Sequence, residues 1–466
     1  MSYKQNSWVT VFSIWNTMIG STVLTMPWGM DQAGVLAGML MIIGIGVLSL
    51  YTCSLIMKVC TRYKSDDVVE MVSRMWGKKG QVASLYMSCL VMLGASMVYN
   101  VLMNSSFYDI IDGISLWTTD NDIGCKTCWS GFSSRYTPFI LMGCLMVMVN
   151  IKEKQKIVKI NSLGIYFVLT ITIFLIFVGL RAITLDTFTT DSEHIPDSDK
   201  KCHHDWNCLK HNHKVEIDLV KPNFLLLSGI LTLSYFIHNC IVIIMKNNAE
   251  PEKNGRDLSL GYLAVGVCYF LIGTLGYFGF KGNGFTQDIT QNALDMFAST
   301  NILAFIMRIV LFTQMFTVYP MIMFLVRSQF FGYYYGTDYP SRKHIFIYSL
   351  VVCSATTLIA SVYPSVGVIA GIVGAFCGLY FVYIVPVCLY LYYYDDDARV
   401  KVQEEHSMQL MDDKDMQATD AISNSDLKED LGNRRNHKIK WTTKKLLHLS
   451  ICVFGVAVLL FQFLTV

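Results

Sequence analysis

Polar and small residues stand together where a membrane helix would not want them. Asn16, Thr17, Gly20, Ser21 and Thr22, with Met18 and Ile19 between them, occupy the middle of an apolar run over 8–30. A continuous helix facing lipid gains nothing from polar groups at that depth. A helix broken there and lining a cavity does, and transporters set such breaks at the bilayer midplane. A break frees N–H groups at the start of the second half-helix, which suit a carboxylate. It frees C=O groups at the end of the first, which suit an ammonium or Na⁺. An α-amino acid carries both charged groups. Gly20 is expected to give the backbone a conformation that a Cβ would resist. The alternative is close helix packing, which also enriches Gly, Ser and Thr.

A second polar set lies five apolar stretches later. Ser228, Gly229, Thr232 and Ser234 form its flexible portion, with Ser234 a candidate for the same site. His238 follows, either as a proton relay or as a hydrogen-bonding partner of a neighbouring helix. Arg308 stands inside another apolar run, either facing a buried partner or snorkelling to the interface. Gln314 and Thr317 are one turn apart on one face, so their oxygens are candidate Na⁺ ligands, with polar packing the alternative. Gly367, Gly371, Gly374 and Gly378 read as a close-packing stripe.

These residues need elements that cross a bilayer. The chain of 466 residues is 53% hydrophobic and only 15% charged, with mean hydropathy +0.42. Soluble domains carry about 25% charge, so lipid is the expected solvent. A net charge of +2 argues against nucleic acid as a partner. Eleven runs are long or apolar enough to span: 8–30, 33–58, 81–104, 137–150, 160–181, 223–246, 258–280, 298–327, 343–361, 364–393 and 445–465. The fold class is therefore an all-α polytopic membrane protein. Lys and Arg concentrate in alternate loops, as with Lys152, Lys154, Lys156 and Lys159 after the fourth span. That bias predicts a cytosolic N-terminus and a luminal C-terminus. The expected organisation is a short cytosolic N-terminus (1–7), a first unit of five helices (8–181), a luminal loop (182–222), a second unit of five helices (223–393), a disordered cytosolic linker (394–444) and an eleventh helix (445–466).

Far-side loops hold Cys125, Cys128, Cys202 and Cys208, which an oxidising lumen would let pair; four cysteines allow three pairings. With His203, His204, His211 and His213 nearby, a zinc site is the sharper alternative. Asn104-Ser105-Ser106 is a glycosylation sequon, with Asn104 the acceptor candidate. No His-Glu-x-x-His, Gly-x-Ser-x-Gly or Walker A motif is present, so an enzyme is not expected.

The run Ile14-Trp15-Asn16-Thr17-Met18-Ile19-Gly20-Ser21, then Pro27-Trp28-Gly29 and Gln32-Ala33-Gly34, resembles the sodium-coupled neutral amino acid transporters of the amino acid/auxin permease superfamily. Phe236-Ile237-His238-Asn239-Cys240-Ile241, Arg308-Ile309, Gln314-Met315 and Thr317-Val318-Tyr319-Pro320 point to that family's lysosomal, arginine-sensing branch. The resemblance implies a LeuT-like five-plus-five inverted repeat with one extra helix. It implies amino-acid binding over Asn16 to Ser21, Na⁺ as coupling ion with Thr317 at the matching position, and residence in the lysosomal or late endosomal membrane. Arginine, leucine and glutamine are the implied ligands, with arginine as substrate or activator. The implied alternative is a sensor that reports luminal arginine with little flux. In that branch a long N-terminal arm engages the Rag–Ragulator machinery; seven residues precede the first span here, so this expectation is without its motif. Ser21 stands where family members place Thr, keeping the hydroxyl.

Overall fold

The computed structural model describes residues 6–65, 67–119, 132–150, 164–183, 217–246, 248–282, 289–337, 340–393 and 445–464. Among them the regular backbone is helical throughout. In chain order the helices are α1 (Ser7–Met18), α2 (Met26–Ala33), α3 (Val35–Arg62), α4 (Val68–Thr119), α5 (Thr137–Val149) and α6 (Gly164–Ile183). Then come α7 (Phe224–Ser234), α8 (Ile241–Lys246), α9 (Asn254–Gly282), α10 (Ile302–Tyr335), α11 (Arg342–Val362), α12 (Val366–Cys377) and α13 (Lys445–Leu464). A 3₁₀ turn, Ser21–Thr25, separates α1 from α2, and a π-helical stretch, Gly378–Ile384, continues α12.

The packing inverts the soluble pattern. Leu40, Val47 and Leu263 are each 62% exposed on helix surfaces, while Thr10, Ser49, Thr52, Asn100, Ser228 and Thr232 are buried at 0%. Apolar side chains outside and polar groups within is what a hydrocarbon surrounding demands.

Seven of these helices are long and apolar enough to cross a membrane, and an eighth if α1 and the bent continuation through α2 count as one span. Thr137–Val149, Val168–Arg181 and Phe224–Ser234 are apolar but shorter, so the number of crossings is not fixed at the expected eleven. The third expected span is also longer than its sequence suggests. α4 runs to Thr119, well past 104, after an interruption at Gly77. Polar residues at 104–106 looked like a helix end; they continue the helix because each Asn104 and Ser105 side chain finds a partner across the bundle.

Two contacts fix how the elements sit. A Cβ on Gly374 of α12 would stand 2.0 Å from the Gly229 carbonyl oxygen of α7, so these helices meet backbone to backbone. The expected glycine stripe is thus a packing device. α13 docks on the same pair: the Gln462 amide donates to Leu225 O and Leu226 O, both at 3.1 Å. At one end of the bundle, residues 218–221 lie against the turn between α2 and α3, with Val35 N–H donating to Asp218 O and Lys221 N–H to Ala33 O. Gly34 closes that turn at φ +82°, where a Cβ would also stand 2.7 Å from Leu219 O.

The same corner holds a buried carboxylate. Asp31 is 2% exposed, with Lys221 Nζ at 3.0 Å and Lys281 Nζ at 3.2 Å. Burial alone would lower the Lys221 ammonium. The hydrogen bonds and charges of Asp31 and Asp218 outweigh burial and hold it above its ordinary value.

Candidate functional site

The first span breaks where its polar residues cluster. α1 ends at Met18, and Ile19 N–H closes the last turn on Trp15 O at 2.9 Å. The 3₁₀ turn follows, and Pro27 opens α2, a position that needs no N–H partner. The two halves bend by 55°. The N–H groups of Gly20, Ser21 and Thr22 meet no backbone acceptor among the described residues. Gly20 differs from expectation: its φ of −125° is extended backbone open to any residue, so the break does not depend on its lacking a Cβ.

The predicted residues do not all join the site. Met18, Ile19, Ser21 and Thr22 are buried at the break. The Tyr99 hydroxyl of α4 lies beside the break, 3.4 Å from where a Cβ on Gly20 would stand. Asn16 is half-buried, one turn back within α1. Thr17 turns outward, and its hydroxyl donates to Ser13 O at 2.7 Å inside its own helix. A Thr or Ser whose hydroxyl bonds back to its own helix has little left for a ligand.

The partner span breaks one turn later than its sequence suggests. Ser228, Gly229, Thr232 and Ser234 are helical within α7, and the irregular stretch is 235–240. Ser234 contributes its carbonyl, because its hydroxyl donates to Ile230 O at 2.7 Å. The Thr232 hydroxyl pairs with Tyr383 OH of the π-helical stretch at 2.9 Å. Buried His238 holds the break to α3 through Nε2 and the Thr52 hydroxyl at 3.0 Å, the neighbour-bonding role rather than a relay along a chain of acids.

α9 ties the two breaks together, which the sequence reading missed. The Tyr269 hydroxyl donates to Met18 O at 2.8 Å and lies 3.2 Å from Ser234 O. Two turns earlier on the same face, Tyr262 OH donates to Tyr235 O at 3.2 Å. A tyrosine pair spaced by seven is the only sequence trace of this arrangement, and in an apolar span it passes for filler.

Gln314 and Thr317 part company. A cavity of about 10 Å³ lies between the 3₁₀ turn and α10, with Gly20, Ser21 and Gln314 on its wall. It is roughly one water in size. The Thr317 hydroxyl is not on that wall; it donates to Gln314 O at 2.8 Å. The wall is mostly apolar, built by Val23, Leu24, Val168, Ile171, Leu311 and Met315, with Ser21 and Gln314 its polar members. Two polar side chains alone do not complete a Na⁺ shell in such a cavity, and the Thr317 hydroxyl is committed to its own helix.

The far side of the site is capped by residues 289–301. Their 3₁₀ turn, Ala293–Met296, touches the Ser21–Thr25 turn. Arg308, 1% exposed, holds this segment from α10. Its guanidinium donates to Leu294 O, Phe297 O and Ala298 O at 3.0, 2.7 and 3.1 Å, and Nε lies 3.2 Å from Asp109 Oδ2 of α4. The snorkelling alternative is therefore excluded. Ser105 adds a hydrogen bond to Asp295 at 3.0 Å.

Asn104 is not a glycan acceptor in this fold. It is 1% exposed, donates to Ser134 O at 2.6 Å and accepts from the Thr137 hydroxyl, so it bolts α4 to α5. Cys125, Cys128, Cys202, Cys208 and the neighbouring histidines lie outside the described residues, as does the linker at 394–444.

A family model described as transmembrane amino acid transporter protein matches residues 4–411. A rat protein named neutral amino acid transporter 9 is 32% identical over 434 residues, spanning 83% of this chain and 74% of its own. A Caenorhabditis elegans protein named sodium-coupled neutral amino acid transporter 9 homolog is 29% identical over 447 residues, spanning 84% and 69%. A solved structure titled inward facing conformation of Mhp1 aligns with a TM-score of 0.50 at 11% identity, over 84% of this chain and 77% of that one. That likeness concerns the fold alone.

Proposed function

The chain belongs to the transmembrane amino acid transporter family and is an amino acid transporter, and from that premise we propose a site, a substrate class and a mode of coupling. The substrate sits at the break of the first span. Its carboxylate is received by the free N–H groups of Gly20, Ser21 and Thr22, at the positive end of the second half-helix. Its ammonium is received by the carbonyls that end α1 and α7. The observation that carries this reading is the convergence of Met18 O and Ser234 O on one point beside those N–H groups.

The substrates are leucine and other neutral amino acids, with arginine as substrate or activator. Na⁺ is the coupling ion; the name of the nematode relative supports this. Na⁺ supplies the downhill gradient, and the chain's own residues do the rest. Access alternates between the two sides by rocking of one five-helix unit against the other around the fixed site. This reading keeps the five-plus-five repeat with an additional helix and a cytosolic N-terminus, supported by the loop charge bias. Residence in the lysosomal or late endosomal membrane is supported by the resemblance alone.

The test is flux of radiolabelled leucine and arginine in proteoliposomes, with and without a Na⁺ gradient. Ser21 borders a cavity of about 10 Å³, so Ser21→Trp should eliminate flux. Unchanged flux in that variant would sink the site. Saturable arginine binding without flux would favour the sensor alternative.

A further inference from the structure

Two half-helices end on a single neutral donor. Met18 O and Ser234 O terminate helices of 12 and 11 residues, and both lie within reach of the Tyr269 hydroxyl. Aligned peptide dipoles leave partial negative charge at each end. Tyr269 is buried at 0%, so no bulk water shares the load. A hydroxyl has one proton. It serves Met18 O well at 2.8 Å and Ser234 O only marginally at 3.2 Å. An ammonium has three protons and a positive charge, and hydrogen bonds from a charged donor are roughly twice as strong as neutral ones.

We infer that the Tyr269 hydroxyl is a placeholder. It holds the two carbonyls while the site has no substrate, and it yields them to a monovalent cation when substrate binds. The cation is either the substrate's α-ammonium or Na⁺. The inference rests on the amino-acid site proposed above and adds a residue that competes with the ligand for its own subsite. Tyr262 is the internal contrast: it donates at 3.2 Å to the carbonyl of Tyr235, the residue that caps α7, and has no hydrogen bond to Met18 O or Ser234 O.

The consequence has an unusual sign. Deleting a structural hydrogen bond loosens binding, whereas deleting a competitor tightens it. Binding of labelled L-leucine, and of its desamino analogue 4-methylpentanoate, is measured on the full chain in lipid nanodiscs across Na⁺ concentrations. Tyr269→Phe should bind leucine roughly 2- to 10-fold more tightly, the range that one net hydrogen bond represents. The desamino analogue should bind equally to both proteins. Tyr262→Phe should lower the melting temperature without tightening binding. If Na⁺ is the occupant, Tyr269→Phe raises apparent Na⁺ affinity and leaves leucine affinity at saturating Na⁺ unchanged. A variant that folds poorly is bypassed with 3-fluorotyrosine at position 269, a stronger donor of similar shape, which should weaken binding of the occupant. Unchanged or weaker affinity for both leucine and Na⁺ in Tyr269→Phe, or tighter binding with fluorotyrosine, overturns the placeholder. Wild-type protein that binds no amino acid overturns the site reading beneath it.

Discussion

Removing Asp109 should destabilise this protein more than removing almost any other surface-distant carboxylate. Its partner Arg308 is 1% exposed and has Nε 3.2 Å from Asp109 Oδ2, with three neutral carbonyls on its other nitrogens. Asp109→Ala leaves that guanidinium buried among dipoles with no countercharge from this pair. Breaking one side of a buried pair costs about 3–5 kcal/mol. Arg308→Met should cost a similar amount, because it removes the charge paired with Asp109 and takes a charged donor from Leu294 O, Phe297 O and Ala298 O, of which Leu294 O and Ala298 O keep the backbone N–H groups of Phe297 and Asn301. A hydrogen bond from a charged donor contributes about 1.5–3 kcal/mol. The double variant Asp109→Leu/Arg308→Met removes the charge problem but not the carbonyl problem. It should recover part of the loss without reaching wild type. The assay is the apparent melting temperature in detergent at one scan rate. At roughly 2 °C or less per kcal/mol for a chain of this length, each single change should lower it by several degrees. The decisive quantity is the coupling in the double-mutant cycle. Coupling under about 0.5 kcal/mol would mean that the two groups act independently, and the latch would be refuted.

Other perturbations follow from the same geometry. Gln462→Leu removes the donor to Leu225 O and Leu226 O and should cost about 1–2 kcal/mol, read as a melting shift and as faster proteolysis near α13. Gly34→Ala should cost more than about 1 kcal/mol, since it meets both a φ of +82° and Leu219 O at 2.7 Å; expression and melting report it. Lys221 has its pKa raised above 10.5 by Asp31 and Asp218 against the opposing effect of burial. Its contribution is therefore complete below pH 10.5 and fades as pH rises through the higher folded value. Lys221→Met should flatten that alkaline loss in a melting-versus-pH series.

The sequence made the first break legible because polar residues at the centre of an apolar run have few other uses. It located the partner break less well. Ser228, Thr232 and Ser234 looked like the irregular portion, yet their hydroxyls bond within the bundle or back along α7, so the helix survives through them. Arg308 was legible as an expensive charge, but its partner was not. Asp109 fell in a stretch read as a luminal loop, because Asn104-Ser105-Ser106 resembled a helix end. Those polar side chains are satisfied by residues far away in the chain, which periodicity cannot register. Tyr269 was invisible for a similar reason: the carbonyls it meets belong to helices 35 and 251 positions away.

The contact between Gly229 and Gly374 sets a limit on how this molecule can move. With the room of barely an oxygen atom between the two backbones, α7 and α12 cannot slide past one another, and Gln462 of α13 wedges across the same junction. Shear along this seam is closed off, so the seam must travel as one solid block. The give has to come from the uncoiled stretch at 235–240, where α7 stops and α8 starts. The second broken helix thus lies half on the clamped side of its break and half beyond it, with the Ser234 carbonyl at the boundary.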